Sequence, residues 1–196
     1  MEGLALAADD AAALDDFPAI AAVGRLSRGR VLCARGEHRR GIDMMHEGLD
    51  AYRATGQRIV LPLLLAALAE GHAAAGDVAA ALACLADARA AVESAGEIRY
   101  LAELHRIEGT LHAAIDDPAA AERCFRKAVA VAREQGARLW ELRATVSGAR
   151  AALQPGTRAT PRRAHRDALA TLVATFSEGF DTTDLRAAQQ LLAALA

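Results

Sequence analysis

The sequence predicts an all-α fold: a solenoid of helical hairpins closed at its C-terminal end by a capping helix. Three observations predict it. Two ladders of glycine run through the chain with a period of forty residues. Gly36, Gly76 and Gly156 form one, with Asp116 on its third rung, and Gly56, Gly96 and Gly136 form the other. Between the rungs, apolar residues recur at helical spacing, as in Leu82, Leu85, Ala88 and Val92. Small and large residues also return in register from one period to the next. Self-similarity at such a period means stacked supersecondary units, because one helix pair cannot bury both of its apolar faces alone.

The elements follow in order along one helical-repeat domain over 1–196. Residues 3–14 read as a single helix with Leu4, Ala8, Ala11 and Leu14 along one face, broken by Phe17-Pro18; this is a partial repeat at 1–17. Full repeats follow at 18–56, 57–96, 97–136 and 137–180, with first helices at 19–35, 59–75, 99–115 and about 138–153. Each second helix ends in glycine at the position after the C-cap. In the fourth repeat Pro155-Gly156 stops the first helix, Thr160 caps the next with Pro161 in its first turn, and Gly179 ends that helix after Glu178. Asp181 or Thr182 then caps a last helix at 181–196, whose Leu185, Ala188, Leu192 and Leu195 suit it to cover the end of the stack. The count is about nine helices and no strand.

The register is specific. Gly29, Ala69, Gly109 and Ala149 share one position in the first helices. In the second helices Gly41, Ala81 and Ala121 share another, Gly48, Ala88 and Ala128 a third, and Met45, Leu85 and Phe125 supply the large residue between them. Small residues let helix backbones approach, and the large one fills the space left at the neighbour. This small–small–large–small pattern resembles the tetratricopeptide repeat in a forty-residue variant, most closely in G-T-L-H-A-A-I-D-D-P-A-A-A-E-R-C-F-R-K-A from Gly109 to Ala128. The early aromatic positions of that repeat hold Arg25, Leu65 and His105 here. The resemblance implies a right-handed superhelix whose first helices line a concave face.

A narrower resemblance rests on A-E-L-H-R-I-E-G (102–109), A-E-R-C-F-R-K-A-V-A-V-A-R-E-Q-G-A (121–137), W-E-L-R-A (140–144) and F-S-E-G-F-D-T-T-D-L (176–185), in that order. Together they are similar to the C-terminal repeat region of large bacterial signalling ATPases, either linked to adenylate cyclases or acting as LuxR-type transcriptional regulators. The similarity spans roughly residues 17 to 195 and departs at 154–163, where the fourth turn is lengthened. It implies a regulatory or sensory module that in such proteins follows a nucleotide-binding domain. It also implies further repeats upstream, so the helix at 3–14 reads as half of a pair. The apolar face left open there is expected to be covered by a preceding domain or by a second copy, through residues 1–35.

Composition agrees and excludes. The chain is 53% apolar and 4% aromatic, with Lys127 as its one lysine. A net charge of −2 gives no general pull toward nucleic acid or an anionic membrane surface. The longest apolar run, Ile59–Ala69, contains Pro62 and falls short of the ~18 residues a spanning helix needs. Glu2, Asp9 and Asp10 are unlike a signal peptide, and three cysteines without metal-type spacing fit reduced thiols in the cytoplasm. Cys84 and Cys124, one repeat apart, read as core packing. There is no phosphate-binding loop, since Lys127 follows Cys124-Phe125-Arg126 inside a helix, and no G-x-S-x-G elbow. No catalytic residue, cofactor or metal is expected.

The expected partner is a protein or peptide in the groove formed by the first helices. The forty-residue register lines up Arg30, Glu70, Thr110 and Arg150 as one stripe, Val23, Leu63, Glu103 and Arg143 as a second, and Leu26, Ala66, Arg106 and Val146 as a third. Such a surface suits a peptide with an acidic and apolar pattern. Two alternatives remain. His105, Glu108 and His112 lie within about 60° on one helix face and could meet a metal or small ligand. Arg158, Arg162, Arg163, His165 and Arg166 form a basic run that could touch phosphates, though no interleaved aromatic is there to stack on a base.

Overall fold

The glycine ladders mark where the backbone turns left-handed. Gly36, Gly76, Gly56, Gly96 and Gly136 have φ of 87°, 83°, 73°, 63° and 64°, and Asp116, on the rung without a glycine, has φ 59°. After the first helix of each of the first three pairs the turn is a Schellman motif, and the fourth such turn, at Pro155-Gly156, lies outside the described residues. In the second repeat Gly76 N–H donates to Ala73 C=O at 3.0 Å and Asp77 N–H to His72 C=O at 2.9 Å. Asp77 then serves the next helix at once, its Oδ1 accepting from Ala80 N–H at 3.0 Å. Asp117 repeats both roles, with its N–H on His112 C=O and its Oδ1 on Ala120 N–H. One residue thus closes one helix and opens another, which forces a tight antiparallel hairpin.

The computed structural model describes residues 17–96, 98–154 and 162–195. Their regular structure is all helical: α1 (Pro18–Ala34), α2 (His38–Ala54), α3 (Leu61–Ala74), α4 (Val78–Ala95), α5 (Leu101–Ala114), α6 (Pro118–Glu134), α7 (Arg138–Ala152), α8 (Arg162–Val173) and α9 (Thr183–Ala194), with a 3₁₀ turn at Ile98–Tyr100. No strand occurs among the described residues. The helix expected at 3–14 and the capping pair Thr160-Pro161 lie outside them. The chain divides into two compact units, up to Tyr100 and from Leu101 onward. In the first, α1 packs on α2, α3 on α4, and α3 also touches α1 and α2. In the second, α5 packs on α6, α7 contacts α5, α6 and α8, and α9 lies against α7 and α8.

The register of small residues is the packing. A Cβ on Gly29 would stand 2.5 Å from Gly41 C=O, and one on Gly41 would stand 2.6 Å from Gly29 C=O, so α1 and α2 touch backbone to backbone. Met45 is fully buried beside them. In the second unit a Cβ on Gly109 would meet the Phe125 ring at 2.8 Å, and one on Gly148 would stand 3.4 Å from Phe125 Cβ. Ala69, Ala81, Ala88, Ala128 and Ala149 are all at 0% exposure, which fixes the same close approach in the other pairs.

The C-terminal part departs from expectation in one place. The helix expected to run to Glu178 and end at Gly179 stops at Val173. Thr175 Oγ1 donates to Leu172 C=O at 2.7 Å, competing with the helical ladder, and Phe176 folds back onto the core of Leu142, Leu169, Leu185 and Ala188. Gly179, with φ 75°, instead turns the loop toward Thr182, whose Oγ1 caps α9 at Leu185 N–H. Leu185, Ala188, Leu191 and Leu195 are buried, and Leu192 only partly.

Two outcomes follow. Phe125→Ala should cost about 3–5 kcal/mol in chemical denaturation, because neither Gly109 nor Gly148 can fill the cavity. Asp116→Gly should raise stability by about 0.5–1 kcal/mol, since it relieves a left-handed L residue; a loss of stability would mean that the aspartate contributes more than its backbone conformation costs.

Candidate functional site

In the second unit two of the arginines expected to line the groove, Arg106 on α5 and Arg143 on α7, are each held by a carboxylate. Arg106 grips Glu103 with two hydrogen bonds, Nε to Oε2 and Nη2 to Oε1, both 2.8 Å. One α-helical turn brings the two together, and Glu103 is only 6% exposed. Arg143 on α7 grips Asp184 on α9 in the same bidentate way, at 2.9 and 2.8 Å. The Arg143 guanidinium also lies over the Trp140 ring, 5.2 Å from its centre. Hydrogen bonding to Asp184 raises the Arg143 pKa further above its ordinary value; burial opposes this, while the charges of Asp184 and Glu103 add to it. Paired arginines held this way are fixed in direction before any partner arrives.

The remaining groove residues fall in different environments. Thr110 and Arg150 are exposed, Thr110 Oγ1 donating to Arg106 C=O at 3.1 Å. In the first unit Arg30 and Glu70 meet at 3.6 Å with both side chains well exposed, a pair worth little on its own. Leu63 is half-buried. Leu26 is buried at 2% exposure, where Gly48 lets α2 reach α1, so its structural role is packing.

The histidine face forms differently from the helical wheel. His105 is 5% exposed, its Nδ1 3.6 Å from Glu108 Oε2. Cys124 of α6 donates its thiol to Glu108 Oε2 at 3.4 Å, which the sequence reading of Cys124 as core packing missed. His112 stands near Asp117, Nδ1 to Oδ2 3.9 Å. In the basic run, Arg163 and Arg166 both engage Asp167, at 3.6 and 3.1 Å, which offsets part of their charge. Arg158 lies outside the described residues.

Two further features escaped the sequence. One is Asp184, which sits at 41 residues' separation from Arg143 and so just off the forty-residue register. The other is a cleft of about 800 Å³ among α6, α7 and α8, walled by Phe125, Val129, Gly148 and Ala168 and edged by Arg126, Arg133 and His165. Its size is in the range of small-molecule sites. It forms where Gly148 leaves room, and glycine content alone does not announce that. Against these observations, no family model and no curated protein matches the chain. No helix among the described residues is long and apolar enough to cross a membrane.

Two histidines couple the fold to pH. The His72 pKa lies below its ordinary 6.5 because burial disfavours the charged ring and His46, 5.7 Å away edge-on, repels it; Asp77 pulls the other way. Burial also lowers His165, against the pull of Glu122. Between the lowered folded values and 6.5 the unfolded chain binds more protons than the folded one. Stability is therefore complete above that ordinary value and falls as the pH drops below it. Thermal melts should show this acid-side loss, and His72→Gln should shrink it; an unchanged slope would mean that His72 is not one of the groups responsible.

Proposed function

We propose that this chain is a non-catalytic protein-interaction scaffold built of tetratricopeptide-like hairpins, a regulatory or sensory repeat module of a bacterial signalling or transcription-control system. The observation that supports it best is the pair of clamped guanidinium groups, Arg106 and Arg143, on helices of the second unit, with exposed Arg150 and Thr110 on the same two helices. Bidentate partners hold these arginines in place, so a peptide carrying carboxylates meets a charge pattern that is already oriented. The small-residue register supports the hairpin reading, since it is what the tetratricopeptide pattern requires of a helix pair. The cytoplasm fits three free cysteines.

The reading is tested by charge reversal. Arg106→Glu with Arg150→Glu should abolish binding of the chain's partner, or of an acidic-apolar peptide selected from a library, while circular dichroism stays helical. Arg163→Glu with Arg166→Glu, on the basic run, should leave binding intact. Equal loss from both pairs would argue for non-specific charge attraction in place of a face on α5 and α7.

A further inference from the structure

At the α5–α6 hairpin of the second unit, Glu108, His112 and Cys124 bring a carboxylate oxygen, an imidazole nitrogen and a thiol sulfur within 4.8 Å of one another. Among the described residues this is the one cluster of three such side chains. Helix geometry explains it: Glu108 and His112 are one turn apart on α5, and the tight turn at Asp117 folds α6 back so that Cys124 meets that face. All three are partly buried. His112 Nδ1 is enclosed and makes no hydrogen bond among the described residues. We propose that these three residues form a binding site for a soft or borderline divalent metal ion, of which zinc is the natural candidate.

The donor set decides the class of ion. A thiolate with an imidazole and one carboxylate suits Zn²⁺, whereas Mg²⁺ and Ca²⁺ require oxygens. Bonds of about 2.0–2.3 Å in a tetrahedron place ligand atoms about 3.5 Å apart, so atoms now within 4.8 Å need to close by at most about 1.3 Å. Cys124 Sγ and Glu108 Oε2 already stand at 3.4 Å, so the closure needed is that of His112 toward this pair. On binding, the ion takes the place of the thiol proton that Cys124 now shares with Glu108, and that proton leaves to solvent. Three protein ligands in a partly open position leave the fourth for water or a partner's side chain. His105 beside Glu108 and Asp117 beside His112 stand as an outer ring able to orient the ligands.

The array carries its own control. One repeat earlier, His72 and Cys84 occupy the positions of His112 and Cys124, but Leu68 stands where Glu108 does. That position is fully buried and apolar, so the second repeat lacks the third ligand.

The experiment titrates the full-length, reduced, chelator-treated chain with Co²⁺ alone. One equivalent should bind, with a sulfur-to-cobalt charge-transfer band and release of about one proton. Zn²⁺ should displace the cobalt. Cys124→Ala should remove the band, and Glu108→Gln and His112→Ala should each weaken binding by about tenfold or more. Cys84→Ala should change nothing. Glu108→Gln preserves size and helicity, so it keeps the test meaningful should the alanine variants lose structure. A folded chain that gives no charge-transfer band, a band that survives Cys124→Ala, or affinity untouched by Glu108→Gln would overturn the proposal.

Discussion

Everything in these hairpins depends on how closely two backbones approach at one small residue. Gly29 and Gly41 leave no space for even a methyl group between α1 and α2, and Gly109 leaves none between α5 and the Phe125 ring. That contact fixes the axial register of each pair, because sliding by one residue would drive a side chain into a neighbouring carbonyl. Once register is fixed, the large residue of the pattern has one place to go, and Met45, Leu85 and Phe125 are buried there. The turn enforces the same register from outside. With a single residue between left-handed rung and next helix, the chain cannot add slack.

The electrostatics follow from that geometry. Because α5 and α7 are held at a set distance, Glu103, Arg106 and Arg143 arrive close enough to influence one another, and α9 supplies Asp184 as the last partner. Partly buried ion pairs of this kind contribute modest net stability, since desolvation offsets much of the attraction. Their larger effect is on order: a bidentate guanidinium loses its rotameric freedom during folding and so has little left to lose on binding. The cap helix α9 is then more than a lid for Leu142 and Leu169, because it also orients an arginine two helices away in sequence.

The fold was legible because period and residue size are properties of the sequence itself. The rungs from Gly36 to Gly136 declared their left-handed turns, and Asp116 took the same conformation on the rung lacking glycine. Less was legible where long-range partners decide. The end of α8 was misplaced because Thr175 and Phe176 answer to the core under α9, which no local pattern near Glu178 reveals. Arg106 and Arg143 fall in the helices expected at 99–115 and 138–153, yet Asp184, which holds Arg143, came from outside the repeat register. The histidine face was visible as a helical wheel, but a wheel describes one helix, and Cys124 reaches it from the next.

Adjacent register positions show how such an array divides its labour. The series Gly29, Ala69, Gly109 and Ala149 is uniformly small: Gly29 lies against the Gly41 backbone, Gly109 against the Phe125 ring, and Ala69 and Ala149 are at 0% exposure. The series one residue earlier, Arg28, Leu68, Glu108 and Gly148, holds four different chemistries at the same place in the hairpin. Leu68 closes an apolar core, Glu108 accepts a thiol hydrogen bond, and Gly148 makes room for Phe125 and the cleft beside it. The first series faces neighbours that admit nothing larger than a methyl group, so a larger residue there would separate the helices. The second faces side chains that can adjust, so each repeat can change its chemistry without changing its geometry. A chain of hairpins built on that division can keep one scaffold while its repeats acquire separate sites.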